Sequence, residues 1–296
     1  MPNELRIDAL LPQEMALRAE EVGMKKSALD FLTTFFLAIL AGAFIALGAV
    51  FATTVTTGTA DLPYGISKLL GGVVFCLGLI LVIVGGAELF TGNNLIAMAW
   101  ASGKVSTWGM LRNWGIVYVG NFVGSVGTAI LMLLTRQYMN ASGAVGLNAL
   151  NIANAKCGLG FVQAMALGIM CNTLVCLAVW LTFSAHSTVD KIAAILFPIT
   201  AFVAAGFEHS IANMYFIPIG LLIKAAAPAE FWALIGRTPA DFANLTWANF
   251  LLKNLLPVTI GNVIGGSLLV GGIYWLIYMR RRYIRRRDIS GQGTSF

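Results

Sequence analysis

Six stretches of this 296-residue chain are long and apolar enough to cross a bilayer, and they fix its class of fold before any motif is read. Phe31–Phe51, Trp114–Thr135, Phe161–Ser184 and Leu255–Tyr278 carry no charge. Leu69–Trp100 and Ile192–Leu222 are longer, with ionisable residues only near their centres: Glu88 in the first, Glu208 and His209 in the second. A hydrocarbon core about 30 Å thick needs about 20 helical residues, so the pattern predicts an all-α polytopic membrane protein with six spans. Only 11% of the residues are charged, against about 25% in soluble domains. The expected division is an amphipathic N-terminal segment over 1–27, a membrane domain over 28–280 and a basic tail over 281–296. Met1–Asp30 has no apolar core ahead of a small-residue cleavage site, so no cleavable signal is expected.

With six spans, both termini lie on one side. That side collects thirteen of the Lys and Arg residues, including six arginines between Arg280 and Arg287, and the other side holds six. Because basic residues favour the cytoplasmic face, both termini are expected in the cytoplasm. The net charge of +6 then follows from topology, and the lipid bilayer rather than nucleic acid is the partner it implies.

Two internal repeats run through the spans. Asn113, Gly120, Asn121 and Gly124 in the third recur as Asn254, Gly261, Asn262 and Gly265 in the sixth, 141 residues later. Gly86-Ala87-Glu88-Leu89-Phe90-Thr91-Gly92-Asn93 in the second aligns with Gly206-Phe207-Glu208-His209-Ser210-Ile211-Ala212-Asn213 in the fifth, 120 residues later. The first and fourth align weakly, through Gly42 and Gly168. Each unit holds three spans, so the second enters the membrane inverted, an arrangement that places a site near the midplane on discontinuous helices. Length agrees: Leu69–Trp100 as one straight helix would reach about 48 Å. Breaks are therefore predicted at Glu88 and Glu208, with helices resuming near Asn93 and Asn213 and aiming their positive dipole ends at an anion.

An ionisable residue at membrane depth costs about 2.5–3.5 kcal/mol on insertion scales. Glu88 and Glu208 have a plain structural reading, in which they satisfy amides freed at the breaks. His209 is the sharper candidate because it follows a glutamate inside a predicted break. From sequence alone, Phe75, Leu79, Phe90 and Phe202 read more readily as packing than as a gate. The four cysteines lack metal-ligand spacing, and neither metal nor cofactor is expected. Glu208-His209-Ser210 contains the residue types of a hydrolase triad, but consecutive helical residues diverge by about 100°, which argues against an enzyme. Paired Asn-Pro-Ala turns, as in water channels, are absent: Asn94 follows Asn93 and Met214 follows Asn213. Ammonium transporters usually pair two histidines, whereas here His186 falls in a loop.

Ile83–Gly92 and Gly168–Ala178 resemble the two signature segments of the formate/nitrite transporter family. Gly206–Met214 and Pro257–Asn262 are similar to the matching segments of its formate channels, and the likeness runs from about Leu10 to Arg280. Thr91-Gly92-Asn93-Asn94 departs from the formate branch, which has other small polar residues there. The resemblance implies an aquaporin-like protomer with its own pore, a homopentamer in a bacterial inner membrane, and pH-dependent passage of formate, with nitrite or hydrosulfide as the alternative anion. It implies that His209 and Thr91 bond the anion, that Glu208 and Asn172 support them, and that Lys156 draws anions in from the periplasm. Phe75 and Phe202 would line one constriction, with Leu79, Leu89 and Val175 nearer another; Phe90 is grouped with these. Glu88, Asn93, Asn213 and Asn262 would support the breaks. Ahead of the first span, Leu10, Leu11, Met15, Ala16 and Ala19 suit one face of a short helix that could cover a pore mouth, dock a soluble partner or lie on the membrane.

Overall fold

The computed structural model describes residues 9–281, and every regular element among them is helical. The basic tail, Arg281 apart, and the first eight residues of the N-terminal segment lie outside the described residues. In chain order the elements are α1 (Pro12–Ser27), α2 (Phe31–Val55), α3 (Tyr64–Gly85), α4 (Phe90–Asn93), α5 (Ile96–Ala101), α6 (Thr107–Leu134) and α7 (Ala144–Cys157). Then follow α8 (Phe161–Thr182), α9 (Thr188–Ala204), α10 (Ser210–Ala226), α11 (Ala229–Ile235) and α12 (Asn249–Met279). Five of these, α2, α3, α6, α8 and α12, are long and apolar enough to cross a membrane. The sixth crossing is divided between α9 and α10.

Local chemistry sets where helices begin. Asp30 starts α2 by accepting the Thr33 N–H at 3.0 Å, and bonding from the Thr33 hydroxyl, then from this N–H, holds its carboxyl below the ordinary value of 3.8. That stabilisation is complete above the ordinary value and disappears as pH falls through the lowered one. Ser106 opens α6 through Gly109, and Ser187 and Asp190 form a reciprocal cap at the start of α9.

The second and fifth spans are both interrupted where the matched glutamate segments lie. Helix α3 stops at Gly85 and α4 starts at Phe90; α9 stops at Ala204 and α10 starts at Ser210. Each break opens on a glycine with positive φ, +77° at Gly86 and +72° at Gly206, a conformation that a Cβ disfavours. The resuming helices start three residues before Asn93 and Asn213, close to where the sequence places them. Both asparagines thus sit inside the first turn, on the glutamate side. The halves also differ: α10 continues for 17 residues, whereas the equivalent stretch of the first half divides into α4 and α5.

Each repeat is a short helix, a span, a broken span and a span. Helix α1 packs on α5 as α7 packs on α10, and α2 lies against α6 as α8 lies against α12. Backbone bonds place the first and fourth spans in register at an offset of 130 residues: Glu88 N–H donates to Leu37 O, and Glu208 N–H to Leu167 O. Gly168 therefore corresponds to Ala38, and the counterpart of Gly42 is Asn172. The weak sequence alignment was four residues out because small residues are frequent in both spans and any of them can be matched.

The burying face of α1 is Met15, Ala16, Ala19, Glu20 and Gly23. Leu11, placed on that face by sequence spacing, caps the helix and is 64% exposed. A methyl group added at Gly124 would run into Ile39 O and Ala43 N of α2, and one at Gly265 into Ile169 O and Thr173 N of α8. These contacts are the same pair in the two repeats. At Gly127, on the same helix as Gly124, an added methyl meets nothing within 4 Å. Gly124→Ala and Gly265→Ala should each cost about 1–3 kcal/mol through overpacking, seen as a lower melting temperature of the purified oligomer, while Gly127→Ala should leave melting unchanged or raise it.

Candidate functional site

A break inside a membrane frees backbone groups that lipid cannot satisfy. One asparagine meets them in each half. Asn121 of α6 donates to Ala38 O at 2.7 Å and Glu88 O at 2.9 Å, and its side-chain oxygen accepts the Phe90 N–H at 2.9 Å. Asn262 of α12 donates to Gly168 O at 2.8 Å and Glu208 O at 3.0 Å and accepts the Ser210 N–H at 2.9 Å. The freed amides of Phe90 and Ser210 are thus met by Asn121 and Asn262, those of Glu88 and Glu208 by Leu37 O and Leu167 O, and the two glutamate carboxylates bind elsewhere.

Each carboxylate is held by a lysine and an asparagine-rich cluster. Lys26 Nζ lies 2.6 Å from Glu88 Oε1, and Asn93 donates to Glu88 Oε2 at 2.6 Å while Asn113 accepts from Asn93 at 2.9 Å. Lys156 Nζ lies 2.6 Å from Glu208 Oε1, with Asn213 and Asn254 donating to Oε2 at 2.7 and 3.0 Å. Asn113 and Asn254 also donate to the backbone oxygens of Lys26 and Lys156. The glutamates are buried, and pairing is what makes ionised carboxylates tolerable there. The family resemblance pointed to Lys156, as an electropositive element on the periplasmic approach, and nothing in the sequence reading pointed to Lys26. A signal existed: Lys26-x-x-Leu29-x-Phe31 recurs as Lys156-x-x-Leu159-x-Phe161.

Two cavities approach each other between the clusters. On the α1 side a cavity of about 380 Å³ is lined by Arg18, Lys26, Leu79, Val82, Leu89 and Lys191 among others. On the α7 side one of about 160 Å³ is lined by Phe75, Lys156, Phe202, His209 and Phe216. Helix α3 supplies Phe75 to one and Leu79 to the other. Four helical residues rise about 6 Å, so the partition is about one turn thick.

The polar groups within that partition are few. His209 Nε2 lies 2.9 Å from Thr91 Oγ1, joining the two broken spans, and the imidazole stacks on Phe202 with ring centroids 5.8 Å apart. Phe75 meets Phe202 edge-on. Asn172 donates to Thr91 O, Asn94 Oδ1 and Asn262 O, tying the Thr91 backbone to α8 and α12. Val175 is buried one turn beyond Asn172. Phe90 points instead into an aromatic cluster with Trp114 and Tyr118 of α6. In the repeat, Leu89 occupies the place of His209 and Ile211 that of Thr91, so the paired polar groups come one from each half.

The hydrolase arrangement is not assembled. His209 Nδ1 accepts the Ala212 N–H, Glu208 is engaged by Lys156, Asn213 and Asn254, and Ser210 Oγ is buried without a partner. The helical argument against a triad does not apply here, since Glu208 and His209 lie in the break; the hydrogen bonds decide the matter.

Lys156→Met should lower stability by about 3 kcal/mol, the low end for a broken buried pair because the lysine keeps some access to solvent. Adding Glu208→Gln removes the stranded charge and should recover most of the loss in a thermal melt of the detergent-solubilised oligomer.

A model of the formate/nitrite transporter family matches residues 13–276. The formate channel FocA of Escherichia coli K12 is 52% identical over 274 residues, covering 92% of this chain and 96% of the relative. The formate channel FocA of Haemophilus influenzae is 43% identical over 263 residues, covering 89% and 93%. Among solved structures, a pentameric formate channel with formate bound superposes with a TM-score of 0.81 at 52% identity, covering 84% of this chain and 98% of its own. An FNT family ion channel superposes with a TM-score of 0.76 at 27% identity, covering 89% and 98%.

Proposed function

The chain belongs to the formate/nitrite transporter family, and we propose that each protomer of a homopentamer passes formate in either direction across a bacterial inner membrane, as a channel and not an enzyme. The observation that carries this reading is the Thr91–His209 pair in the partition between two cavities. Three of the similar proteins, the two FocA relatives and the pentameric solved structure, are named formate channels, which supports the substrate.

The chemistry suits a small monovalent anion. Formate loses hydration energy on leaving a wide cavity for an apolar slit, so it needs donors at the narrowest point and no strong fixed charge to trap it. Thr91 and His209 offer donors, and the positive end of α10 faces the break. Lys26 and Lys156, the ammonium groups nearest the breaks, are already paired with Glu88 and Glu208, which tempers the charge next to the slit. Phe75 and Phe202 close the slit on one side and Leu79, Leu89 and Val175 on the other. Asn172 and Asn262 hold the broken backbone that carries the donors, with Glu88, Glu208, Asn93 and Asn213 fixing the turns on either side.

Orientation follows the basic residues. Arg18, Lys26 and Lys191 line the α1-side cavity and Lys104 reaches Glu20 of α1 at 3.7 Å, so α1 and both termini face the cytoplasm and Lys156 faces the periplasm. Arg18, Glu21 and Lys25 form an exposed charged face on α1 that suits a soluble cytoplasmic partner. Deleting Met1–Glu21 should alter formate flux or its pH response, because the deletion strips Arg18 from the cavity wall.

Proteoliposome flux of formate, nitrite and hydrosulfide at two pH values tests the substrate directly. Formate should pass fastest; faster nitrite or hydrosulfide would move the assignment within the family. His209→Asn keeps donors and a good helix cap but cannot titrate, so anion flux should persist with a flattened pH profile. His209→Phe removes donor and cap together and should abolish proton-linked uptake or give an unselective leak. Native flux, selectivity and pH response in both variants would make His209 a packing residue.

A further inference from the structure

His209 is held at both ring nitrogens. Nδ1 accepts the backbone N–H of Ala212 at 3.0 Å, capping α10, and Nε2 faces Thr91 Oγ1 at 2.9 Å. A ring nitrogen that accepts an N–H carries no proton, so the neutral imidazole must keep its proton on Nε2. This cap belongs to the histidine-bearing half alone. Leu89, at the equivalent start of α4, makes no side-chain cap.

The consequence concerns how a proton can reach formate. A neutral ring that gave up its Nε2 proton would become an imidazolate in an apolar slit. Transfer therefore needs the imidazolium, protonated at both nitrogens. The Nε2 proton then passes to a formate oxygen, formic acid leaves, and the ring remains neutral with its proton on Nδ1. An Nδ1–H would point at the Ala212 N–H, donor against donor. The second proton can be taken up only if the cap opens.

We propose that the Ala212 N–H holds His209 as a neutral Nε2–H donor, so that formate crosses the partition as a hydrogen-bonded anion while α10 is capped and as formic acid only after its first turn uncaps. The proposal rests on the reading of His209 as the pore donor. Around the ring, the titratable and charged groups are Glu208 beside it and Lys156 from α7, which lines the same cavity. These two are paired with each other at 2.6 Å. Thr91 from α4 and Phe202 from α9, which also meet the ring, carry no charge.

The test uses the full chain with His186→Gln, which leaves His209 as the single histidine, labelled with ¹⁵N and reconstituted as the oligomer in lipid vesicles. Solid-state NMR at pH 7 should show Nδ1 unprotonated and Nε2 protonated. On acidification, Nδ1 protonation should appear together with faster hydrogen exchange of the Ala212 amide. Nδ1 protonated at pH 7, or imidazolium forming while the Ala212 amide stays protected, overturns the proposal. A second arm replaces Ala212 with proline, which lacks the N–H and is tolerated in a first helical turn. The midpoint of pH-dependent formate flux should rise by about one pH unit or more, a tenfold change in proton concentration. An unchanged midpoint in a folded Ala212→Pro oligomer also overturns it, and if that variant does not fold, the NMR result decides. The reading beneath the proposal fails separately, through native flux in His209→Phe.

Discussion

Two interruptions of the backbone inside an apolar medium govern this structure. Each frees groups that cannot go unpaired where no water is available, and much of what is buried and polar here answers that demand. Asn121 and Asn262 bridge the breaks to the neighbouring spans, while Lys26 and Lys156 reach in from the short helices to meet the glutamates. The close glycine contacts of α6 on α2 and of α12 on α8 follow from the same need, since the bridging asparagines reach Ala38 O and Gly168 O only if the spans lie nearly backbone to backbone.

The proposed site lies where the repeats cease to match. Each glutamate cluster joins one lysine, one glutamate and two asparagines, so the same groups stand on either side of the partition. The partition is asymmetric: Leu89 stands where the other half has His209, Ile211 where the first has Thr91, and Gly42 where the second has Asn172. One half contributes a hydroxyl and the other an imidazole, and they meet only because the halves are inverted around a common slit. A symmetric pair of histidines, or of threonines, would place both donors on one chemistry and remove the distinction between a group that can titrate and one that cannot.

Much of this was legible in the sequence. Uninterrupted apolar runs give the spans, and the pairs Asn113 with Asn254 and Glu88 with Glu208 give the inversion, because functional polar residues in a membrane are too costly to recur by accident. The sequence places the start of α4 and α10 near Asn93 and Asn213, and only the tertiary structure shows that these two act from within the first turn, as carboxylate donors. Lys26 escaped notice because a lysine near the end of a polar helix ordinarily faces water, and only the tertiary contact shows it turned into the membrane domain. Nor could periodicity tell that Phe90 turns toward Trp114 and Tyr118 while its neighbour Leu89 faces the cavity, since the two lie on opposite sides of an irregular backbone.

The thinness of the partition has an electrical consequence. Cavities open from either face carry the potential of the adjoining solution inward, so most of a transmembrane voltage falls across the single turn between Phe75 and Leu79 instead of across about 30 Å of hydrocarbon. Moving one elementary charge through 100 mV is worth about 2.3 kcal/mol. An anion crossing that turn would do almost all its electrical work there, within reach of His209, whereas a neutral acid would do none. On the proposed role of His209, a shift in protonation at this one place would set whether the membrane potential drives the traffic or is indifferent to it.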